Sequence, residues 1–287
     1  MYKINAIDPR DHPYLQITRC IDDLKKTWYY VGSLPTERRP TVAIVGSRKP
    51  TAYGREVTAM LARDLAVRGV VIVSGLALGI DAIAHQAALD AGGTTIAAQA
   101  NGLHRLYPYT NKQLGERIIA EGGAIISDFE PGVEPMRYRF LERNRIVSGI
   151  ADAVIVTEAA SRSGTLNTAA HALTQGKELF AVPGPITSPM SAGCNHLLRQ
   201  GATPATCSDD ILSVIMPDLE GDTQLVLPIG STTLETAIIS ALSTGMRDGD
   251  EILAHLGANP SEFNTALTML EINGVIKPLG ANRWALI

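Results

Sequence analysis

Through the first two thirds of the chain, short runs of apolar and β-branched residues alternate with longer stretches of helical periodicity. The run Val42–Val45 is continuously apolar and ends at a glycine, as in a parallel strand that is buried on both faces. By the same reasoning, strands are expected at 70–73, 94–98, 124–127, 153–157 and 178–182, and helices at 53–68, 80–91, 111–121, 140–149, 164–175 and 196–201. This alternation predicts an α/β domain with an extended, Rossmann-like and mainly parallel sheet between two layers of helices.

The pattern changes after residue 205. A segment rich in Asp, Pro and Gly is expected to be a linker, and three helices and two short strands follow it. An Asn-Pro-Ser start signal at Asn259 opens the third helix, and a Gly-Ala-Asn turn separates the strands. This order of elements predicts a winged helix-turn-helix. The expected organisation is an N-terminal extension over 1–39, the α/β domain over 40–205, the linker over 206–230 and the winged helix over 231–287.

The net charge of −4 is unevenly distributed along the chain. Residues 1–204 contain 22 Lys and Arg against 18 Asp and Glu, whereas residues 205–287 contain 3 against 11. A phosphate-binding surface is therefore expected in the α/β domain. The third helix of the winged domain carries Glu262 and Glu271 but no Lys or Arg, so this domain is not expected to bind DNA strongly. Contact with a protein and folding back on the basic groove are the open alternatives.

Three further features bear on the compartment. No stretch reaches the ~18 uninterrupted apolar residues of a membrane-spanning helix, and no apolar run follows the first charged residues as in a secretory signal. The cysteines Cys20, Cys194 and Cys207 form no CxxC pair, so no disulfide framework is expected. These features favour a cytoplasmic protein without a membrane partner.

Gly/Ser-rich sequences follow three of the predicted strands, namely Gly46-Ser47-Arg48, Ser74-Gly75-Leu76-Ala77 and Ser163-Gly164-Thr165. Ligands of α/β sheets bind at the carboxyl ends of the strands, where backbone N–H groups and helix N-termini attract anions. The spacing after Gly46 does not match the dinucleotide motif G-x-G-x-x-G, so NAD is disfavoured. Arg48 is instead expected to hold a phosphate through its guanidinium.

The densest basic segment is RYRFLERNR, at residues 137–145. Arginines interleaved with aromatic residues suit single-stranded nucleic acid, because cations contact phosphates and rings stack on bases. In a helix, Arg139 and Arg143 lie on one face at i and i+4. Since Arg143 and Arg145 cannot both point that way, one of them is expected to be structural and to pair with an acid such as Asp152 or Glu158.

No convincing catalytic or metal-binding constellation is evident in the sequence. Asp81 stands where a helix N-cap is expected, and His85 has no partner at the spacing of a triad or a metal site. Cys194 and His196 flank an asparagine without further ligands and are expected to be structural. The chain is thus expected to be no enzyme and to hold no metal or cofactor.

The chain resembles the DNA-processing protein A (DprA/Smf) family in five successive blocks: VAIVGSRKPTAYG, VSGLALGIDAIAH, NGLHRLYPYTN, FLERNRIVSGIADAVIVTEAASRSGTLNTAAHAL and FAVPGPITSPMSAGCNHLLRQGA. The resemblance runs from about residue 40 to residue 204. It implies an extended Rossmann-like fold that binds single-stranded DNA, forms homodimers and helps to load RecA recombinase during natural transformation. It also implies a dimer surface near 179–204, and a C-terminal winged helix is usual in many members.

Carried over by position, the resemblance implies a DNA-binding site in which Phe140 stacks on a base. The chain departs from the family at Leu141, where a proline is usual, and at 97–101, where a glycine pair is missing. The implied single-stranded-DNA site consists of Gly46, Ser47, Arg48, Gly75, Leu76, Arg137, Phe140, Arg143, Asn144, Ser163 and Gly164.

Two other functions compete with this one. Cytokinin-activating phosphoribohydrolases are also extended Rossmann proteins, but their PGGxGT-type motif and the Glu that follows it have no match in SRSGTLN at 161–167. A winged-helix transcriptional regulator with a ligand-sensing α/β domain needs a basic recognition helix, which the sequence lacks. Release of free base from a nucleoside monophosphate tests the first alternative, and preference for duplex DNA tests the second.

Overall fold

The computed structural model describes residues 2–217, 232–244, 246–280 and 282–286. The chain forms two compact units, residues 1–219 and residues 220–287. Each unit has its own hydrophobic core. Among the described residues, no helix combines the length and the apolar character that crossing a bilayer requires.

The first unit is built on a sheet in which nine strands are described, in the order β1-β2-β6-β5-β4-β3-β7-β8-β9. The strands from β6 to β9 run parallel, and β1 and β2 pair antiparallel at one edge. Their bounds are β1 (Asn5–Ile7), β2 (Trp28–Gly32), β3 (Thr41–Gly46), β4 (Val71–Ser74), β5 (Thr95–Ala98), β6 (Ala124–Ser127), β7 (Ala153–Glu158), β8 (Glu178–Ala181) and β9 (Thr203–Pro204). The predicted mainly parallel sheet is confirmed.

Helices cover both faces of this sheet. They are α1 (Ala52–Val67), α2 (Ile80–Asp90), α3 (Lys112–Ala120), α4 (Arg137–Ile150), α5 (Thr165–Thr174), α6 (Ala192–Arg199) and α7 (Ser208–Ile215). Alternate residues of β3 enter different cores: Ala43 packs with the residues of α4 and α5, whereas Ile44 packs with those of α1 and α2. This two-residue period is why a strand buried on both faces is apolar at every position.

The strand order reverses at β3. From β3 the chain passes through α1 to β4 on one side, and it returns from β6 through α4 to β7 on the other side. The connections that leave β3 and β7 therefore diverge, and a crevice opens at the carboxyl ends of the central strands. Such a reversal is where open α/β sheets bind ligands.

Two segments outside the predicted α/β domain belong to the first unit. The N-terminal extension over 1–39 supplies β1 and β2, and β2 pairs with β6 while the side chain of Trp28 is fully buried. The predicted linker over 206–230 begins with a helix, α7, whose Ile211 packs in the core beside α1. Residues 218–230 of that segment lie outside the described residues.

The described part of the second unit contains α8 (Thr233–Ser243), α9 (Gly249–Leu256) and α10 (Pro260–Ile272), followed by a hairpin of β10 (Ile276–Gly280) and β11 (Arg283–Leu286). The side chain of Asn259 accepts a hydrogen bond of 2.9 Å from Ser261 N, and Pro260 occupies the first position of α10. The start signal that the sequence shows is thus used as predicted. The predicted winged-helix order of elements is confirmed.

Candidate nucleic-acid interface

A cavity of about 910 Å³ lies at the carboxyl ends of β3, β4 and β7 in the first unit. The connections after these strands and the first turns of α4 supply much of its lining, and the connection after β5 adds Tyr107 and Pro108. The cavity therefore occupies the place where the strand order reverses. Its volume is within the range of small-molecule sites, and it is lined by a mixture of cationic, hydroxyl and aromatic side chains.

Most of the residues that were predicted from the sequence to form the DNA-binding site lie together in this cavity. One does not: the side chain of Leu76 is fully buried and packs with Leu106 and Ile118 in a neighbouring core cluster. The backbone at Leu76 has a φ of 56°, and this turn directs the side chain into the core. The selected residues that line the cavity are Gly46, Ser47, Arg48, Gly75, Arg137, Phe140, Arg143, Asn144, Ser163 and Gly164.

Phe140 is flanked by two side chains that also line the cavity. The Cζ atom of Arg48 lies 5.4 Å from the centroid of the Phe140 ring, and the Tyr107 ring centroid lies 5.7 Å away at an interplanar angle of 49°. Arg48 is exposed and therefore combines a cation–π contact with a free route to a ligand. A nucleobase that stacks on the same face of Phe140 must displace the Arg48 guanidinium.

Arg143 forms the floor of the cavity rather than its surface. Its side chain comes from the second turn of α4, only 4% of the residue is exposed, and Nη1 donates a hydrogen bond of 2.9 Å to Ala98 O. The guanidinium lies directly against Gly75, where any side chain would collide with it. Burial lowers the pKa of Arg143, although the negative charge of Asp81 opposes this shift. A side chain at position 75 would therefore have to displace the Arg143 guanidinium.

Asp81 was expected to cap helix α2, but it is the second residue of that helix and Gly79 holds the capping position. One Asp81 carboxylate oxygen accepts hydrogen bonds from Gly75 N at 3.1 Å and from Ala77 N at 3.3 Å. Burial raises the pKa of Asp81, and the positive charge of Arg143 acts against that rise. The carboxylate therefore organises the connection after β4.

Several backbone N–H groups around the cavity are already engaged. Ser47 N donates to Glu158 O at 2.8 Å, and Thr165 N donates to Ser163 Oγ at 3.2 Å. Gly75 N and Ala77 N are held by Asp81, so these four amides are not available for the expected capture of an anion. Side chains, above all Arg48 and Arg137, are the groups that remain for a phosphate.

The other arginines of α4 point away from the cavity. Arg145 is structural, as expected of one arginine in this segment, but its Nη2 pairs with Asp128 at 2.6 Å instead of with Asp152 or Glu158. Arg139 lies over the rings of Phe129 and Tyr138, at 5.4 Å from each centroid, and its guanidinium donates to Glu134 O.

The expected shared face of Arg139 and Arg143 is therefore not formed. The two side chains start from the same side of the helix, but one turns inward to Ala98 O and the other follows Phe129.

The remaining titratable residues of interest lie within the core or at a helix end. His85 is fully buried, and its Nδ1 is 2.7 Å from Thr95 Oγ1. Because Thr95 Oγ1 donates its own proton to Ile72 O, the His85 Nδ1–H must be the donor. Burial lowers the pKa of His85 to about 3 and raises the pKa of the Cys194 thiol to about 12. No cluster of three metal-ligating side chains occurs within the described residues.

The structure adds cavity residues that the sequence did not single out. Tyr107 and Pro108 enter from the connection after β5, and Leu78 directly follows the predicted Ser74-Gly75-Leu76-Ala77 segment. A Tyr-Pro-Tyr sequence in the connection between a predicted strand and the next predicted helix was an available signal for the first pair. Leu78 is an apolar residue that stays half-exposed at the cavity, which only the tertiary structure shows.

Comparison with protein families identifies the chain. The family model of DNA recombination-mediator protein A matches residues 5–216, and that of the DprA winged helix domain matches residues 226–282. The chain belongs to the DprA/Smf family. The two matches follow the two units of the structure.

Individual DprA/Smf relatives show the same relationship. A Mycobacterium tuberculosis relative is 43% identical over 251 residues, which are 85% of this chain and 64% of that protein. Protein Smf of Escherichia coli is 47% identical over 171 residues, 60% of this chain and 46% of that protein. The DNA processing protein DprA of Streptococcus pneumoniae is 42% identical over 185 residues, 64% of this chain and 65% of that protein. The chain thus matches less than two thirds of the length of these relatives.

Two solved structures of family members share the fold. The X-ray structure of Streptococcus pneumoniae DprA superposes with a TM-score of 0.69 at 38% identity, covering 74% of this chain and 75% of that one. A Helicobacter pylori DNA processing protein A structure, which concerns the single-stranded-DNA binding mode of that protein, gives a TM-score of 0.66 at 33% identity. It covers 76% of this chain and 97% of the other.

Proposed function

We propose that this DprA/Smf protein binds single-stranded DNA in the cavity at the strand-order reversal and performs no chemistry on it. The observation that carries the proposal is the meeting of exposed Arg48 with the Phe140 and Tyr107 rings in one cavity. Cations for phosphates beside rings for bases are the combination that single-strand binding requires. The Helicobacter pylori relative, whose structure concerns single-stranded-DNA binding, supports the same reading.

In this proposal the residues of the cavity have different tasks. Arg48 and Arg137 contact phosphates directly, and the hydroxyl groups of Ser47 and Ser163 add hydrogen bonds to the same backbone. Arg143 acts from below, since its buried charge raises the positive potential of the cavity while its Nη1 stays on Ala98 O. Because an aromatic surface accepts any base, sequence preference should be slight.

The proposal includes no catalytic step. Asp81 is the acidic residue that lines the cavity, and one of its carboxylate oxygens accepts from two backbone N–H groups, a structural task. A general acid or base needs a free proton-transfer path to the substrate. The resemblance further leads us to propose a cytoplasmic homodimer that helps to load RecA recombinase during natural transformation. Elution as a monomer in sizing experiments at micromolar concentration would count against the dimer.

The proposed function is tested by a salt titration of binding to labelled oligo-dT and to the matching duplex. Arg48→Ala should weaken single-strand binding by about 1–3 kcal/mol, the range of a charge-assisted hydrogen bond. It should also lower the slope of log K against log salt by about 0.7, because one phosphate contact is lost. Arg63→Ala, which also removes an exposed arginine but from α1 outside the cavity, is the matched control.

The possible results separate the functions. Tight single-strand binding that Arg48→Ala weakens and Arg63→Ala does not supports the cavity. Equal binding by all three proteins rejects the placement of the site. If the wild type binds no single strand at low salt, single-strand binding itself fails, and release of base from a nucleoside monophosphate becomes the next assay.

A further inference from the structure

Tyr109 is an aromatic residue whose exposure the fold does not explain. It exposes 80% of its surface, whereas Tyr107, two residues earlier, exposes 38% and packs near Phe140. A tyrosine ring that lies largely outside the core is available for stacking, and its hydroxyl can remain in solvent. The residues around Tyr109 indicate what kind of ligand could stack on it.

Tyr109 stands at the rim of the cavity. Tyr107 and Pro108 line the cavity, and Tyr109 opens the short 3-10 helix Tyr109–Asn111 that follows them. Asn111 Nδ2 donates to Leu76 O at 2.9 Å and to Ala77 O at 3.1 Å, which ties this helix to the connection after β4. Two residues span at most ~7 Å of chain, so the Tyr109 Cα lies within that distance of the Tyr107 Cα.

The segment that carries both tyrosines is held in place by buried amide side chains. Gln99 Nε2 donates to Tyr107 O at 2.8 Å, and Tyr107 N donates to Gln99 Oε1 at 3.1 Å. Asn101 Nδ2 adds hydrogen bonds to Gly102 O and Arg105 O. The two rings are therefore presented by a fixed backbone, and binding to them has a low ordering cost.

A cation accompanies the outer ring as one accompanies the inner ring. Lys112 Nζ lies 6.0 Å from the centroid of Tyr109, and it also faces Glu116 Oε1 at 3.5 Å. Inside the cavity, Arg48 lies over Phe140. Tyr107 contacts Phe140 of the inner pair and lies two residues before Tyr109 of the outer pair.

We propose that single-stranded DNA leaves the cavity over Tyr107, and that Tyr109 and Lys112 form a further nucleotide subsite at the rim. A base stacks on the exposed Tyr109 ring, and the adjoining phosphate contacts the Lys112 ammonium in place of Glu116. This inference rests on the proposed single-strand binding and adds the direction in which the strand continues.

The opposite exit, over the first turn of α4, is less suited to a strand. Tyr138 is exposed there, but Arg139 lies over its ring and is itself held by Glu134 O. The carboxylate of Glu134 also pairs with Arg105, so the cation left on that side is Arg137, which the proposed function already places on a phosphate inside the cavity. A base that arrives there must displace Arg139 before it can stack on Tyr138.

The experiment measures dissociation constants of the full chain for two labelled dT oligonucleotides, of about 4 and about 16 nucleotides, which bracket common single-strand site sizes. Tyr109→Ala should weaken binding of the long oligonucleotide by roughly five- to fiftyfold, the effect of one lost base stack. Binding of the short one should change little. Tyr109→Phe keeps the ring and should bind both like the wild type, and so should Tyr138→Ala.

The outcomes decide between the exits. Unchanged binding of the long oligonucleotide by Tyr109→Ala overturns the subsite, and so does an equal loss for both lengths, which would place Tyr109 inside the cavity. A loss with Tyr138→Ala in its place reverses the direction of the strand. Failure of the wild type to bind either oligonucleotide rejects the proposed function itself, which keeps the two failures distinct. Because Tyr109 is exposed, thermal unfolding should be unaltered in its variants.

Discussion

The two units of this chain are both folds on which nucleic-acid binding sites are often built, yet their surfaces differ. The first unit gathers Arg48, Arg137 and two aromatic rings in one cavity. In the second unit α10 stands where a recognition helix stands in other winged helices, and it carries Glu262 but no Lys or Arg. The comparison indicates that the fold supplies positions for binding, whereas the charge at those positions determines whether a phosphate backbone is attracted.

The largest expected effect concerns the buried charge beneath the cavity of the first unit. Arg143→Met should lower the free energy of unfolding by about 3–5 kcal/mol, because Asp81 then remains buried without its opposite charge. Urea unfolding measures this loss. Arg139→Met, which makes the same change one turn earlier at a less buried site, should cost less than about 1 kcal/mol. Equal losses would show that Arg143 has no special role in the floor.

Separate fragments test the comparison of the units directly. The fragment 1–219 should bind oligo-dT like the full chain, whereas 220–287 should bind at least about a hundredfold more weakly, or ~2.7 kcal/mol. The reason is that the cavity lies wholly in the first fragment. Fluorescence anisotropy at low salt measures both. Full affinity of the fragment 220–287 for oligo-dT would place the main DNA-binding site in the second unit.

Acid should destabilise the first unit before the second. Folded His85 stays neutral because burial lowers its pKa to about 3, while the unfolded chain takes up a proton near pH 6.5. The contribution of His85 to the free energy of unfolding is therefore fully present above pH 6.5. It is lost as the pH falls, by up to about 2 kcal/mol at pH 5. Urea unfolding of 1–219 at pH 7 and pH 5 measures the loss.

Two comparisons control for other groups that titrate on acidification. His85→Gln should show a smaller difference between the two pH values, whatever its stability at pH 7. The fragment 220–287 does not contain His85 and should lack this contribution. An identical pH dependence of wild type and His85→Gln would reject the role of His85.

The smallest effect is expected from reversing the charge of α10. Glu262→Lys with Glu271→Lys should raise DNA binding of the full chain about two- to tenfold at low salt and hardly at all at high salt, because exposed charges are screened. The pair Glu262→Gln and Glu271→Gln removes the acids without adding cations, and it separates lost repulsion from new attraction. A gain that survives high salt would point to contacts other than charge.

Much of the first unit could be predicted from the sequence because its strands are buried on both faces. In a chain of this length, a continuous apolar run such as Val42–Val45 fits few structures other than a buried strand. The short β1 and the helix α7 were missed, since three residues give no period and α7 lies in a segment rich in Asp, Pro and Gly. Both are stabilised by what they pack against rather than by their own pattern.

The site could be predicted as a set of positions but not as a set of roles. The Gly/Ser-rich ends of the strands come together because parallel strands share one edge, and that follows from chain order alone. Which arginine is exposed does not follow, because Arg48 and Arg143 are chemically the same and differ in the atoms around them.

By itself, the sequence determined the order of strands and helices, the uneven charge of the two units and the block of residues around the cavity. Only the tertiary structure decided that Leu76 turns into the core, that Arg145 meets Asp128, and that Asp81 occupies the amides after β4. The pattern of apolar and polar residues along the chain indicates secondary structure and burial, and it can be recognised from residues that are close together in the sequence. Hydrogen-bond partners of buried polar groups are chosen among residues far apart in the chain, and the packed fold alone brings these together.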